Sequence, residues 1–395
     1  MALIAVAEAQ MRMLALKAPL AIETVPLAAA AGRYAAADVV ACRSQPALDL
    51  SAMDGYAIRF AERPGPWTVV GESAAGGGLD RGLRPGEAAR IFTGAPVPDG
   101  ADVILIQEEA ARDGDRLTMT GEGPHRPGTH IRRRGSDFAE GAKLITTGTP
   151  IGAAGIALAA SGGHGALAVR RRPRIAILST GSELVPAGEP ASGALLPASN
   201  GPMLAAMLTG MACEAIDHGI VRDDIDAISA CFSALAGQAD IVVTTGGASV
   251  GDHDLVLPAL GRAGAKIDFW KVAMKPGKPV MIGTLGEAVV LGLPGNPVSA
   301  FVTATLFLKP LVAHLLGASR PIPAAIAARL GMAVPATGNR AEYLRARWCD
   351  GAVVPVTSQD SAGLAALAEA QLLVVRAPNA QALPAGADVE ILELA

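Results

Sequence analysis

Along one stretch of the chain, short apolar runs end in loops rich in glycine, hydroxyls and charge. Ser179-Thr180-Gly181-Ser182-Glu183 follows the first run and Thr244-Thr245-Gly246-Gly247-Ala248-Ser249-Val250-Gly251-Asp252-His253-Asp254 the second. Met274-Lys275-Pro276-Gly277-Lys278-Pro279 follows the third and Gly292-Leu293-Pro294-Gly295-Asn296-Pro297-Val298-Ser299 the fourth. Glycines let backbone N–H groups approach an anion closely, and hydroxyls and helix N-termini add donors, so such loops suit a phosphate or another oxyanion. One such turn says little, but four at a single sheet edge argue for a site. Glu183, Asp223 and Asp254 add carboxylate oxygens that could converge on a hard divalent cation, and Asp223 or Asp224 is also well placed to cap a helix. Lys275 and Lys278 flank prolines that hold their loop extended, which would fix two cations over an anion.

Segments nearer the N-terminus carry further candidates. Ser51 to Ala57 places Asp54 beside a glycine between apolar neighbours, and Ile131 to Asp137 sets Arg132, Arg133 and Arg134 ahead of Asp137. An arginine run of this kind is either a solvated face or a grip on a polyanion. Thr93-Gly94-Ala95-Pro96-Val97-Pro98 puts a hydroxyl in a turn. His253 is the one histidine in a candidate loop, Ser179 and Ser249 have no evident His and Asp partners, and no Walker lysine motif occurs. Neither a histidine metal site nor a nucleophilic triad is therefore expected.

The elements that must position these loops follow from the pattern around them. From Arg174 onward, short β-branched runs (175–178, 241–243, 267–272, 288–291) alternate with helical spacings (202–213, 224–236, 255–263), as a doubly wound sheet requires. In such a sheet ligands bind beyond the carboxyl ends of the strands, where the four loops lie. Residues 172–318 read as this α/β domain. Residues 40–137, rich in Gly and Pro, read as a β-rich inserted domain with strands near 67–70 and 103–107. Their flanks, 1–39 and 138–171, form a discontinuous N-terminal unit with helices near 4–17 and 150–160, and residues 319–395 a C-terminal β domain with strands near 353–356, 372–375 and 389–392.

Composition sets the outer limits. With 395 residues, 51% of them hydrophobic, the chain can bury several cores, and its net charge of −4 supplies no field that would draw it to nucleic acid. Cysteines at 42, 213, 231 and 349 form no Cys-x-x-Cys pair, the usage of a reduced, cytoplasmic protein. Glu8 and Arg12 interrupt what would have to be a signal-peptide core. The segments 144–169 and 288–308 lack Asp, Glu, Lys and Arg, but Gly162-Gly163-His164 and Pro294-Gly295-Asn296-Pro297 break them, so both read as buried elements and not membrane spans.

Taken together, SAMDGYA at 51–57, TGAPVP at 93–98, IRRRGSD at 131–137, STGSEL at 179–184, GIVRDD at 219–224, TTGGASVGDHD at 244–254, KPGKP at 275–279 and GLPGNPVSA at 292–300 resemble the molybdopterin molybdenumtransferase family, which includes the C-terminal domain of gephyrin. The likeness runs collinearly over almost the whole chain. It implies a multidomain α/β fold with a molybdopterin-binding-like domain. The implied reaction is insertion of molybdate into the dithiolene of adenylylated molybdopterin, with Mg²⁺ as cofactor and release of AMP. It also implies an elongated homodimer whose cleft lies between the α/β domain of one subunit and the β-rich domain of the other, with contact to the adenylyltransferase partner.

Carried over by position, the resemblance makes Asp54, Asp137, Glu183, Asp223 and Asp254 the acidic set, with Glu183, Asp223 and Asp254 at the metal. Thr93, Arg132, Thr180, Gly181, Gly246, Gly247, Ser249, Lys275, Lys278, Pro294, Asn296, Ser299, Arg345 and Ser361 become substrate contacts. This chain departs from many relatives at Ser182, where they carry Asp, at Ser199-Asn200, and at Ala362, where they carry His. Two other classes remain as alternatives: an adenylyltransferase similar in the α/β domain alone, which the SAMDGYA and IRRRGSD segments argue against, and a gephyrin-like scaffold.

Overall fold

The computed structural model describes residues 3–246 and 255–394, apart from the Trp270 side chain. Its central element is a six-stranded sheet in the order Glu214–Val221, Arg174–Thr180, Ile241–Thr245, Ala288–Leu293, Pro279–Leu285, Lys266–Lys271. The first four run parallel, and Pro279–Leu285 is antiparallel to both neighbours. Alternation along the inner strands divides the core. Ile175, Ile177, Ile241, Val243, Val289 and Leu291 face one buried cluster, whereas Ala176, Leu178, Val242 and Val290 face the other. Both faces being covered by helices, the strands read as unbroken apolar runs.

The expected run at 267–272 is the strand Lys266–Lys271, and the three other expected strands each extend a little further. Two strands were not anticipated. Pro279–Leu285 opens on a proline, tolerated at a first strand position, and so looks like a continuation of the lysine loop. Glu214–Val221 lies at the sheet edge, where Glu214, Asp217 and His218 remain exposed and mask its periodicity. Asp224 rather than Asp223 caps the helix Ile225–Ala236, its Oδ1 accepting from the Ala227 N–H at 2.8 Å.

The helix near the N-terminus spans Val6–Ala15, but its buried Ala9 and Met13 join the α/β cluster and not the unit of residues 138–171. Gln10 Nε2 donates to the Leu306 carbonyl at 2.8 Å, fixing that contact. Farther on, Ile22–Pro26 pairs with Ala166–Arg170 and Val39–Val40 with Lys143–Ile145, around a small core of Ala30, Val39, Ile145, Ile151, Leu167 and Val169. The helical run Pro297–Leu315 is long and apolar enough to cross a membrane by length and composition, yet 83% of its most apolar window is buried within the protein.

Residues between these flanks form a second six-stranded sheet, ordered Val103–Ile106, Gly55–Ile58, Glu87–Ile91, Trp67–Ser73, Arg116–Met119, Ala110–Asp113. Gly55 is obligatory there, because a Cβ would lie 2.0 Å from the Leu105 carbonyl oxygen. The C-terminal sheet is built on Ala341–Cys349, Leu372–Arg376, Asp388–Glu393 and Ile326–Arg329, and Met274–Lys275 from the α/β lysine loop joins its edge.

Candidate active site

The carboxyl ends of the parallel strands are drawn tightly together. Ser179 Oγ lies 3.3 Å from Thr245 Oγ1, and the Thr180 hydroxyl donates to the Thr245 carbonyl at 3.4 Å. Gly246, at φ +88°, would place a Cβ 2.4 Å from the Thr180 carbonyl oxygen, and a Cβ on Gly295 would lie 3.5 Å from the Gly246 Cα. Backbone therefore packs on backbone at this crest, as an oxyanion cradle requires. Asn200, at the start of the helix Asn200–Leu208, holds the crest from the side through Nδ2 to the Gly295 carbonyl at 2.8 Å.

Two of the expected carboxylates share one turn. The Glu183 carboxylate folds over Gly181, within 2.5 Å of where a Cβ would stand. Asp223 Oδ2 accepts from the Ser182 N–H at 2.9 Å, and Ser182 Oγ accepts from the Asp223 N–H at 3.2 Å. With Asp224 serving as the cap, Asp223 is left for this turn. Glu183 and Asp223 supply the hard oxygen donors that a magnesium ion prefers. Among the described residues no group of three His, Cys, Asp or Glu forms a metal cage, and Asp254, the third expected ligand, lies outside them, as do Gly247 and Ser249.

The lysine loop is seated on the helix Pro297–Thr303. Gly277, at φ +98°, would direct a Cβ to 2.4 Å from Thr303 Cγ2. Lys275 Nζ lies 3.4 Å from Glu342 Oε1, whereas the Lys278 ammonium has no hydrogen-bond or ion-pair partner among the described residues. Pro294 and Asn296 lead into the same helix. Asn296 Nδ2 donates to Ser361 Oγ at 3.0 Å, and the Val298 N–H donates to the Ser361 carbonyl at 3.1 Å. Ser299 is 5% exposed.

Arg345 lies in the strand Ala341–Cys349. Placed among the substrate contacts from sequence, it is 1% exposed, and its guanidinium donates to the carbonyls of Ser358 at 3.0 Å and Gly363 at 3.5 Å. Gln359 clasps the Arg345 backbone in return, accepting from its N–H at 3.1 Å and donating to its carbonyl at 2.9 Å. Arg345 thus supports the loop that carries Ser361.

The β-rich unit assembles the other half. Ile131 and Arg132 pair with Ser51 and Leu50, the Ser51 N–H donates to the Ala95 carbonyl at 2.9 Å, and the Gly94 N–H donates back to Ser51 at 2.8 Å. Three segments far apart in sequence thereby meet around Asp54. Asp54 Oδ1 accepts from the Thr93 N–H at 2.7 Å and the Thr93 hydroxyl at 2.8 Å. Those two bonds, with attraction to Arg90, hold the carboxyl below its ordinary range. Of the arginine run, Arg133 is spent on Asp49 at 2.5 Å, while Arg132, Arg134 and Asp137 stay exposed. Among the described residues no strand pairing, hydrogen bond or ion pair joins residues 44–138 to 172–318 within the chain.

Asn200, Glu342 and Arg90 escaped the sequence reading as contributors to the site. Asn200 had a detectable signal, its place at a helix start beside the crest. Glu342 and Arg90 had none, since each acts on a partner distant in sequence.

Comparison with known proteins supplies independent findings. The MoeA N-terminal region (domain I and II) matches residues 4–163, the family described as "Probable molybdopterin binding domain" matches 176–314, and the MoeA C-terminal region (domain IV) matches 327–394. A Nostoc sp. protein named molybdopterin molybdenumtransferase is 39% identical over 308 residues, 75% of this chain and 70% of that protein. A Staphylococcus aureus protein of the same name is 30% identical over 380 residues, covering 93% of this chain and 90% of its own. The crystal structure of the molybdopterin biosynthesis MoeA protein from Pyrococcus horikoshii superposes with a TM-score of 0.85 at 26% identity, covering 99% of both chains.

Proposed function

The chain belongs to the molybdopterin molybdenumtransferase family and is a transferase, and from that premise we propose that it inserts molybdate into the dithiolene of adenylylated molybdopterin with Mg²⁺-assisted release of AMP. The observation that carries this reading is the crest at Thr180, Gly246 and Gly295, flanked on one side by Glu183 and Asp223 and on the other by the lysine loop and Ser361. It offers backbone donors for phosphate, carboxylates for a cation and fixed positive charge for an oxyanion within one sheet edge.

Glu183 and Asp223 would hold the magnesium, joined by Asp254. Bound there, the ion neutralises charge on the phosphoric anhydride. Thr180, Gly181, Gly246 and Gly247, with Ser249, cradle the phosphates. Lys275 and Lys278 grip the tetrahedral oxyanion near Ser299, Asn296 and Ser361, and Pro294 sets the approach of the Asn296 loop. Asp54, kept ionised by Thr93, and Asp137 and Arg132 complete the acidic and basic lining from the β-rich unit. In this reading the protein is a homodimer in which each cleft draws one half from each subunit, as in the family it resembles.

The four cysteines are all free thiols, which fits a reducing cytoplasm, and the adenylylated substrate calls for contact with the enzyme that makes it. Incubation with adenylylated molybdopterin, Mg²⁺ and molybdate should release AMP only when molybdate is present. AMP release indifferent to molybdate would overturn the assignment.

A further inference from the structure

Lys275 and Glu342 are direct partners in the parallel pairing of 274–275 with 341–342, and on the next strand Arg376 is the register partner of Glu342. Paired residues project to the same face of a sheet, so Lys275, Glu342 and Arg376 form a cation–anion–cation row across three neighbouring strands. The two cations differ in freedom. Arg376 is 3% exposed, with its guanidinium donating to the Pro335 and Gln381 carbonyls. The Lys275 side chain is 56% exposed against 16% for Glu342, and the two meet at 3.4 Å.

We propose that Glu342 is a competing counter-ion for Lys275, holding the ammonium when no substrate is present and surrendering it to the tetrahedral oxyanion, so that Glu342 sets how tightly that anion is gripped. This rests on the reading of Lys275 as an oxyanion contact. A half-exposed Lys–Glu pair is weak and readily exchanged. Arg376 stays on the neighbouring strand in register with Glu342 when Lys275 turns away, and Glu342 keeps 16% of its side chain open to water. A dianion at Lys275 also feels the Glu342 charge, and that repulsion limits its hold and favours handing the metal on.

The test is calorimetric binding of molybdate, with tungstate and sulfate alongside, to the full chain and to Glu342→Gln, Lys275→Ala and the double variant. Glu342→Gln should bind molybdate about 3- to 10-fold more tightly than the parent. Lys275→Ala should weaken binding, and adding Glu342→Gln to it should gain less than about twofold, because the competition has lost its object. Binding by the parent that Lys275→Ala weakens and Glu342→Gln does not tighten sinks the counter-ion role alone. An equal gain in both backgrounds also sinks it, since a general field effect would then explain the change. No oxyanion binding by the parent and no effect of Lys275→Ala sinks the oxyanion reading and the counter-ion role with it. Should Glu342→Gln melt the C-terminal sheet, Glu342→Asp, with its shorter reach, should tighten binding in the same direction by less, and its failure to do so overturns the proposal.

Discussion

The Asn296 side-chain amide donates to the Ser361 hydroxyl at 3.0 Å, tying the loop at the end of an α/β strand to a loop of the C-terminal sheet. The neighbouring bond from the Val298 N–H to the Ser361 carbonyl makes the tie two-point. If the pair acts as one element, Asn296→Ala and Ser361→Ala should each cut molybdate-dependent AMP release about tenfold, and the double variant should lose hardly more than either, as groups that act together do. Fully additive losses would show the residues to act separately.

Asp54 and Thr93 form the matching pair in the β-rich unit. Asp54→Ala should lower AMP release by about 100-fold or more while its sedimentation profile matches that of the parent. Thr93→Val removes the hydroxyl donor and leaves the N–H, so the Asp54 carboxyl should titrate closer to its ordinary 3.8. Because the ionised form is the one the site holds, the acid limb of the pH–rate profile should move to higher pH. A Thr93→Val profile that overlays the parent's contradicts this account.

Glu183 and Asp223 are the proposed holders of Mg²⁺. Chelation should abolish AMP release and added Mg²⁺ should restore it. Glu183→Gln and Asp223→Asn should each raise the Mg²⁺ concentration for half-maximal rate by at least about tenfold, with melting temperature little changed because both groups lie in an exposed turn. An unchanged Mg²⁺ dependence in both variants would remove these carboxylates from the metal.

Far from the site, at the amino edge of the α/β sheet, Asp240 is 5% exposed and receives Arg171 at 2.6 and 2.7 Å, the Arg174 N–H at 3.0 Å and Lys17 at 3.7 Å. Burial pushes its carboxyl up, but Arg171, the Arg174 N–H and Lys17 together outweigh that and hold it below the ordinary value of 3.8. A depressed carboxyl contributes stability that is present above its unfolded pKa and fades as pH falls through the folded one, so this contribution should begin to fade only as pH drops below the ordinary 3.8. Asp240→Asn should cost about 2 kcal/mol in denaturant unfolding at neutral pH, discounted because Arg171 keeps access to water, and the cost should shrink in acid.

The α/β unit was legible because strands buried on both faces must be written almost wholly in Val, Ile and Leu, and because glycine and hydroxyl loops mark where they end. The edge strand Glu214–Val221 was not, since one open side lets charged residues into it. Asp223 and Asp224 could not be separated from sequence, as either is a good cap; Asp224 takes the Ala227 N–H while Asp223 accepts from the Ser182 N–H, 41 residues away. Nothing local to Arg345 announces that backbone carbonyls from 358 and 363 will receive its guanidinium. The three segments gathered at Asp54 were recognisable singly, but their convergence depends on pairing of 50–51 with 131–132, which no periodicity records.

The contact between Gln10 and Leu306 spans 296 residues and has a consequence for biosynthesis. The helix Val6–Ala15 emerges from the ribosome long before the surface that receives it, by roughly 15 to 60 s at ordinary elongation rates. Throughout that interval Ala9 and Met13 lack their final neighbours while the intervening β-rich sheet is free to form. Nascent chains halted before residue 304 should therefore leave this helix open to protease and to chaperones, and its protection should mark the moment when the α/β core closes.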